Sequence, residues 1–557
     1  PQKDFIIGRL GEEARRGMES VENASPPQAS ERCTALEAVS PDFINGGELH
    51  RWMYDRLSLA ALLKKCGFVS VCPQSFNTSH NSDVLAYGLD ADANGGIRKP
   101  DSLFMVGIKP SDVGKHSPRA VLFSTADSGG AGIAAQRLHS ALRDLNLKSE
   151  LYVLQQKFSH EGVHVLPCHG MHVNSSCSAT TAASSASVIS ELYRQRVLGK
   201  YPNIPHGCEY FSVPAQFGDF HSVPLMSDFD LVHLHWVAGM LDPSLSFDFL
   251  KGRPVVWTLH DMNPFTGGCH YADGCREFER HCGKCPQLGS QETEDISRKT
   301  WKLRMGAYRQ LNLHVVTPSH WLAKMARRSS LLSRFPIHVI PNGHPLDVYA
   351  PMNREAIRAA LGLVSENLVL LFASQDLTNR RKGGVFLLEM LRKLATSPLK
   401  NRVTVLLLGS NATEAFLESG IQVKPVGHID DTNSMAALYN AADAVLVPSL
   451  EDNLPNVICE AQGCGTPVVA FASGGIPEMI LHKKTGFLAA TGNADDLLEG
   501  VKWANDARAT PITRRLCRAH AIEQWHPQQC AQRYMKLYAS LLQAGENDSN
   551  PKVRHEL

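Results

Sequence analysis

From Ala120 onward, short apolar runs of strand length alternate with longer stretches whose apolar residues recur at helical spacing. This order leaves few options, because strands joined by helices pair in parallel and bury both faces of their sheet. A glycine-rich turn and a helix over Ile133–Leu142 come first, and strands are expected at Asp230–Trp236, Val255–His260 and Leu313–Thr317. A second set starts near Ile337, with strands at Leu368–Ser374, Val403–Gly409, Ala444–Pro448 and Pro467–Phe471. A last helix, about Gln528–Leu542, follows Trp525-His526-Pro527. The Ser/Ala/Thr-rich tract within residues 169–190 reads as an insertion. Two such sheets facing each other would place a ligand crevice between the carboxyl ends of their strands.

At 557 residues more than one core is required. A net charge of +1 gives no global attraction for nucleic acid. No apolar run approaches the ~20 residues of a bilayer span, and no cleavable leader is evident, so a cytoplasmic protein is expected. The chain starts at Pro1 rather than Met, which suggests that residues precede it.

Ahead of the alternating region, Leu49–Cys66 has helical spacing and stops at Gly67, while Phe68–Cys72 and Ser102–Ile108 read as strands. With Trp52–Arg56 in the helix and Lys99–Met105 entering the last strand, residues 40–110 resemble the C-terminal end of a class I S-adenosylmethionine methyltransferase. The glycine-rich cofactor loop of that family has no counterpart here, so no intact S-adenosylmethionine site is expected.

Four segments carry the chemistry. In Val447–Ala461 (VPSLEDNLPNVICEA) a strand gives way to a loop and then a helix whose N-terminus is a ready anion site. Glu460 lies more than a turn into that helix, where a carboxylate can accept ribose hydroxyls; a solvated acidic loop is the plain alternative. In Phe372–Gly384, Arg380, Arg381 and Lys382 stand where a strand meets a helix. Cations oppose the dipole there by roughly 0.3–1 kcal/mol each, a penalty that an anionic ligand removes. Val121–Gly132 is strand, glycine turn and helix, with Gly129 and Gly130 in the turn; its spacing does not fit dinucleotide binding. His260 closes the strand Val255–His260, where it would face the crevice. Asp228-Phe229-Asp230 precedes a strand instead of ending one and is set aside as a metal motif.

Together these segments resemble the family 4 retaining glycosyltransferases over about residues 119–543. The resemblance implies the GT-B fold of two facing Rossmann-like domains: residues 118–334 with the final helix 527–543, then 335–526, after a methyltransferase-like remnant and linker over 1–112. It puts the family's carboxylate-x7-Glu pair on Asp452 and Glu460, where Asp replaces the usual Glu and Glu451 is an alternative. Lys382 falls on the phosphate lysine, and Arg381 stands in for an Arg whose slot holds Leu377. Gly129, Gly130, Glu451, Asn453 and Leu454 would line the donor, and His260 would contact its sugar. A nucleotide sugar as co-substrate, a saccharide or lipid-linked acceptor of surface polysaccharide synthesis, retained anomeric configuration and no catalytic metal are what it implies. A GT-B epimerase, a non-catalytic nucleotide-sugar-binding protein and a bifunctional methyltransferase–glycosyltransferase are the alternatives.

Two features fall outside that pattern. Cys269, Cys275, Cys282 and Cys285 lie far closer together than 14 cysteines in 557 residues would by chance. They fit a structural zinc site, two disulfides or four thiols. Trp321–Arg334 carries Lys324, Arg327, Arg328 and Arg334 among apolar residues, as would a helix lying on a membrane surface or, the commoner case, one covering a core.

Overall fold

The computed structural model describes residues 4–6, 69–74, 104–108, 118–167, 195, 197–205, 211–215, 217–220, 223, 228–242, 247–377, 379–411, 414–427, 429, 431–508 and 511–549. The chain divides into two compact units, residues 1–117 and 118–557. In the first, strands β1 (Asp4–Ile6), β2 (Val69–Gln74) and β3 (Phe104–Ile108) form an antiparallel sheet in the order β1–β3–β2. The expected helix over Leu49–Cys66 and the tract within 169–190 lie outside the described residues.

The second unit contains two parallel sheets. The first joins β4 (Arg119–Ala126), β5 (Lys148–Gln155), β6 (Val163–Val165), β7 (Leu231–Leu234), β8 (Pro254–Thr258), β9 (Asn312–Thr317) and β10 (Ile337–Val339) in the order β10-β9-β8-β7-β4-β5-β6. The other joins β11 (Leu368–Asp376), β12 (Val403–Ser410), β13 (Gln422–Gly427), β14 (Ala444–Val447), β15 (Val468–Phe471) and β16 (Gly486–Ala489) in the order β13-β12-β11-β14-β15-β16. All of these pairings are parallel. Strand order reverses between β4 and β7 in one sheet and between β11 and β14 in the other, and such reversals open ligand crevices.

Alternation along β11 divides the second core. Leu368, Leu370 and Phe372 pack with the helix Gly384–Leu394 on one face, while Val369 and Leu371 pack with Ile458, Cys459 and Met479 on the other. The second set of elements does not begin at Ile337, as its sequence suggested. Ile337–Val339 pair with Val315–Thr317 and finish the first sheet as a half-buried edge strand.

The final helix, Pro527–Ser549, returns to the first sheet. Tyr538 Oη lies 2.6 Å from His233 Nδ1, and Tyr534 Oη 2.9 Å from Thr258 Oγ1. The two chain crossings lie side by side. His344 N–H donates to Trp525 O at 2.9 Å, and a Cβ on Gly343 would come within 2.7 Å of Pro527 Cα.

The basic amphipathic stretch forms a helix over His320–Arg328 only. Ser329 turns extended and its hydroxyl donates to Phe265 O at 3.0 Å, which ends the helix and tucks Leu331 and Leu332 into the first core. Leu322, Ala323 and Ala326 are buried in the protein, so the apolar face covers a core. Among the described residues no helix is long and apolar enough to cross a membrane.

Candidate active site

The basic cluster sits at the reversal point of the second sheet. After β11, the Asn379 side chain accepts from Arg381 N–H at 2.9 Å and starts a single 3-10 turn, Arg380–Lys382. Gly383 then takes φ 73° with its α-carbon pressed against Pro448 O, where a side chain would collide. That close approach seats the turn beside the loop after β14. Arg381 O accepts from Leu450 N–H at 2.8 Å, and Arg381 Nη1 donates to Glu451 O at 2.9 Å.

Asp452 takes up both charges. Its Oδ2 lies 2.6 Å from Lys382 Nζ and 3.1 Å from Arg381 Nη1. Burial works to raise the Asp452 pKa, but the adjoining Lys382 and Arg381 charges outweigh it and hold the carboxyl at about 2. Glu451 turns the other way and accepts from Asp273 N–H of the first domain at 3.0 Å, while burial raises its pKa. The neighbouring acids therefore do different things: Asp452 orders the cations and Glu451 joins the domains. Leu377, in the slot the resemblance gives to Arg, is 2% exposed and belongs to the core.

Opposite stands the reversal point of the first sheet. Gly129 has φ 69° and opens the helix Gly129–Asp144; Gly130 O accepts from Asn456 Nδ2 across the crevice at 3.4 Å. Two turns along, Arg137 reaches over, with Nη2 3.0 Å from Glu460 Oε1 and Nη1 2.8 Å from His344 Nδ1. Tyr439 Oη donates to the other Glu460 oxygen at 3.0 Å. Glu460 is thus buried and paired rather than solvated. Its two oxygens offer about four lone-pair directions, so each can accept one more hydroxyl.

His260 lies two residues beyond the end of β8 and stacks on His235, which lies tilted against His233, with ring centroids 5.3 and 4.3 Å apart. Its Nε2 lies 3.1 Å from His235 Nδ1, and its carbonyl accepts from Asn453 Nδ2 at 3.1 Å. Ser319 Oγ donates to Asn453 Oδ1 at 2.5 Å, which fixes that amide against the first domain. Burial lowers the His233 pKa to about 3 and, against the pull of Asp261, the His260 pKa to about 4. Both are neutral near pH 7. Leu454 packs on the second core and supplies no polar group.

A small cavity of about 20 Å³, room for a water and not for a sugar, borders His235 and His260 and is lined by Ser212, Trp236, Asp261, Asn263 and Arg304. Asp261 is held by His270 Nδ1 at 2.7 Å and Trp236 Nε1 at 2.8 Å. Among the described residues His235 Nε2 has no hydrogen-bond partner.

Residues that the sequence did not single out complete the crevice. Tyr271 lies under Arg381, with the guanidinium carbon 4.2 Å from the ring centroid, and its hydroxyl donates to Asp452 at 3.4 Å. Asp273 stands 3.7 Å from Arg380. Arg137, Tyr271, Asp273 and Tyr439 act through partners distant in sequence, so only the fold discloses them. The four clustered cysteines carry free thiols, and no group of three or more His, Cys, Asp and Glu among the described residues is posed to hold a metal ion as it stands.

Comparison with known proteins gives the same division. Residues 128–348 match a family profile described as Glycosyltransferase Family 4, and residues 367–505 one described as Glycosyl transferases group 1. D-inositol 3-phosphate glycosyltransferase of Arthrobacter sp. strain FB24 is 27% identical over 395 residues, covering 69% of this chain and 84% of that protein. The enzyme of the same name from Mycobacterium tuberculosis strain H37Ra is 31% identical over 357 residues, covering 59% of this chain and 66% of its own. In fold the chain is similar to sucrose-phosphate synthase of Thermosynechococcus elongatus (TM-score 0.52, 17% identity, 77% of this chain and 100% of that one). It is likewise similar to Anabaena HepE, solved in complex with UDP (TM-score 0.50, 19% identity, 76% and 100%). Two parallel sheets with their reversal points opposed, cations on one and a glycine turn on the other, and these matches identify residues 128–505 as a glycosyltransferase of the family 4 type, with the GT-B fold.

Proposed function

We propose that this enzyme moves a sugar from a nucleoside diphosphate sugar to a saccharide or lipid-linked saccharide acceptor with retention of configuration, in surface polysaccharide synthesis. The observation that carries the donor half is the placement of Arg381 and Lys382 on one buried carboxylate, opposite the glycine turn. A diphosphate entering there would meet two oriented cations and the start of the helix Gly384–Leu394. Departure of the nucleoside diphosphate builds negative charge, and groups already in position stabilise it without reorganising. Glu460 would accept the ribose hydroxyls with its remaining lone pairs, and His260 would meet the sugar as a neutral imidazole.

Asp452 and Glu460 belong to one loop–helix unit, whereas paired glycosidase carboxylates flank the scissile bond. With Asp452 already neutralised by two cations, we assign it to holding them, and the departing phosphate to receiving the acceptor's proton. No step calls for a catalytic metal.

Thermal shift against UDP-, GDP- and ADP-sugars tests the donor, since a ligand of the native state raises its stability. UDP-sugars come first because HepE was solved with UDP. We expect one base to raise the midpoint and Lys382→Ala to abolish the rise. No rise with any of them, or a rise unchanged in Lys382→Ala, would sink the reading. For residues 40–110 we propose a methyltransferase-like remnant without catalysis. Binding of labelled S-adenosylmethionine would overturn that part alone.

A further inference from the structure

From Leu259 to Asp295 the chain has no strand and no α-helix, only three single 3-10 turns: Asn263–Phe265, Glu277–Glu279 and Pro286–Leu288. Long irregular segments are rarely ordered by their own backbone. Yet this one carries Tyr271 and Asp273 to the phosphate cations with defined geometry. The apolar cluster under its C-terminal part is small, built on Leu198, Phe211, Cys285 and Leu288.

Cys269, Cys275, Cys282 and Cys285 all belong to this segment, and none is in a disulfide. The four sulfurs share one neighbourhood, with all six pairs in electrostatic reach of one another. Gly267 N–H donates to Cys282 Sγ at 3.1 Å, and the Thr266 hydroxyl donates to the Cys269 carbonyl at 2.7 Å. Between Cys282 and Cys285 the backbone turns sharply through Gly283 (φ 142°) and Lys284 (φ 48°), a left-handed conformation that lysine rarely adopts. Four cysteines in one irregular segment, two of them flanking a tight Cys-x2-Cys turn, supply the soft ligand set of a structural zinc ion.

We propose that Cys269, Cys275, Cys282 and Cys285 bind one zinc ion as a tetrathiolate, pinning the segment that carries Tyr271 and Asp273. Four thiols would release four protons to solvent as Zn²⁺ takes four Zn–S bonds of ~2.3 Å, with no change of oxidation state. The sulfurs are not posed around an ion as they stand, so binding must draw them together. Four sulfurs leave no coordination position for water, so the ion is structural. The proposal does not depend on the donor reading, because its readout is metal.

The test is elemental analysis of the full chain purified under reducing conditions, with cobalt(II) as the spectroscopic probe. We expect one zinc per chain and, after exchange, the intense visible bands of tetrahedral cobalt–thiolate. Cys282→Ser and Cys285→Ser should each lower bound zinc at least tenfold, whereas Cys517→Ser, a buried cysteine of the other domain, should leave it unchanged. Should the variants fail to fold, the wild-type cobalt spectrum decides alone. Wild-type protein without zinc and without cobalt bands would overturn the proposal. So would protection of the four cysteines from alkylation that only a reductant, and not a chelator, relieves, since that marks disulfides.

Discussion

The two sheets of the glycosyltransferase unit follow one alternation but hold their functional groups differently. In the second sheet, loops between strand and helix are short, and backbone geometry does the positioning: the Asn379 cap, the left-handed Gly383 and the Arg381 carbonyl bonded to Leu450. In the first sheet, the segment that leaves β8 is long and irregular as far as Asp295, where the helix Ile296–Tyr308 begins, and side chains do the stitching: Asp261 with His270 and Trp236, Arg304 of that helix with Asp242 at 3.0 Å, and Gln287 with Tyr271 O. Short loops fix a charge wherever it is needed and tolerate little change. Long loops allow many surfaces on one scaffold, provided that something else makes them rigid.

The comparison breaks most visibly at Lys382. Lys382→Ala should lower kcat by about 10²–10³ with the fold intact, as expected when one preorganised charge is lost from a transition state. Steady-state turnover beside a far-UV spectrum checks it, and a change under threefold would mean that the short loop does not hold the reacting phosphate. Next in size is the buried pair that joins the halves. Arg137→Met leaves Glu460 charged and without its counter-ion, at a cost of ~3 kcal/mol in urea unfolding; adding Glu460→Gln should recover part of it.

Acid should act on the first sheet before the second. His233 and His260 have folded pKa values below the free value of 6.5, so their neutral forms favour folding above pH 6.5. As pH falls from 6.5 toward about 4, the unfolded chain takes protons that the folded one refuses, and stability drops by about 1.4 kcal/mol per pH unit for each histidine. Asp452, held at about 2, keeps its charge until well below that window. Urea midpoints between pH 7 and 4.5 should fall with a slope that His260→Asn reduces. An unchanged slope would remove His260 from the account. The smallest effect belongs to Tyr271→Leu, which removes the ring under Arg381. A loss of ~1 kcal/mol, about fivefold in nucleotide affinity by calorimetry, is expected.

Much of the second sheet was legible because its central strands are buried on both faces and therefore read as unbroken apolar runs, as in Leu368–Phe372. The edges were not. Gln422–Gly427 is mostly exposed and contains Pro425, and Val163–Val165 is only three residues long, so neither leaves a pattern. Asp452 and Glu460 stood out because both lie in one loop and the helix that follows it, and Lys382 because it ends a cationic run, although it meets Asp452 only across 70 positions of sequence. Arg137 could not, because it meets Glu460 across 323 positions of sequence. Tyr271 was hidden for a further reason: an aromatic beside a cysteine cluster looks like core until its cation appears.

The adjacent crossings at Gly343 and Pro527 set how the halves can move. Two strands of chain passing through one point permit rotation but resist sliding, so any closure of the halves would be a swing about a line near that point. Displacement then grows with distance from the line. A methyl group added at Gly343 would shift the rest angle of the whole crevice while touching no residue of the site.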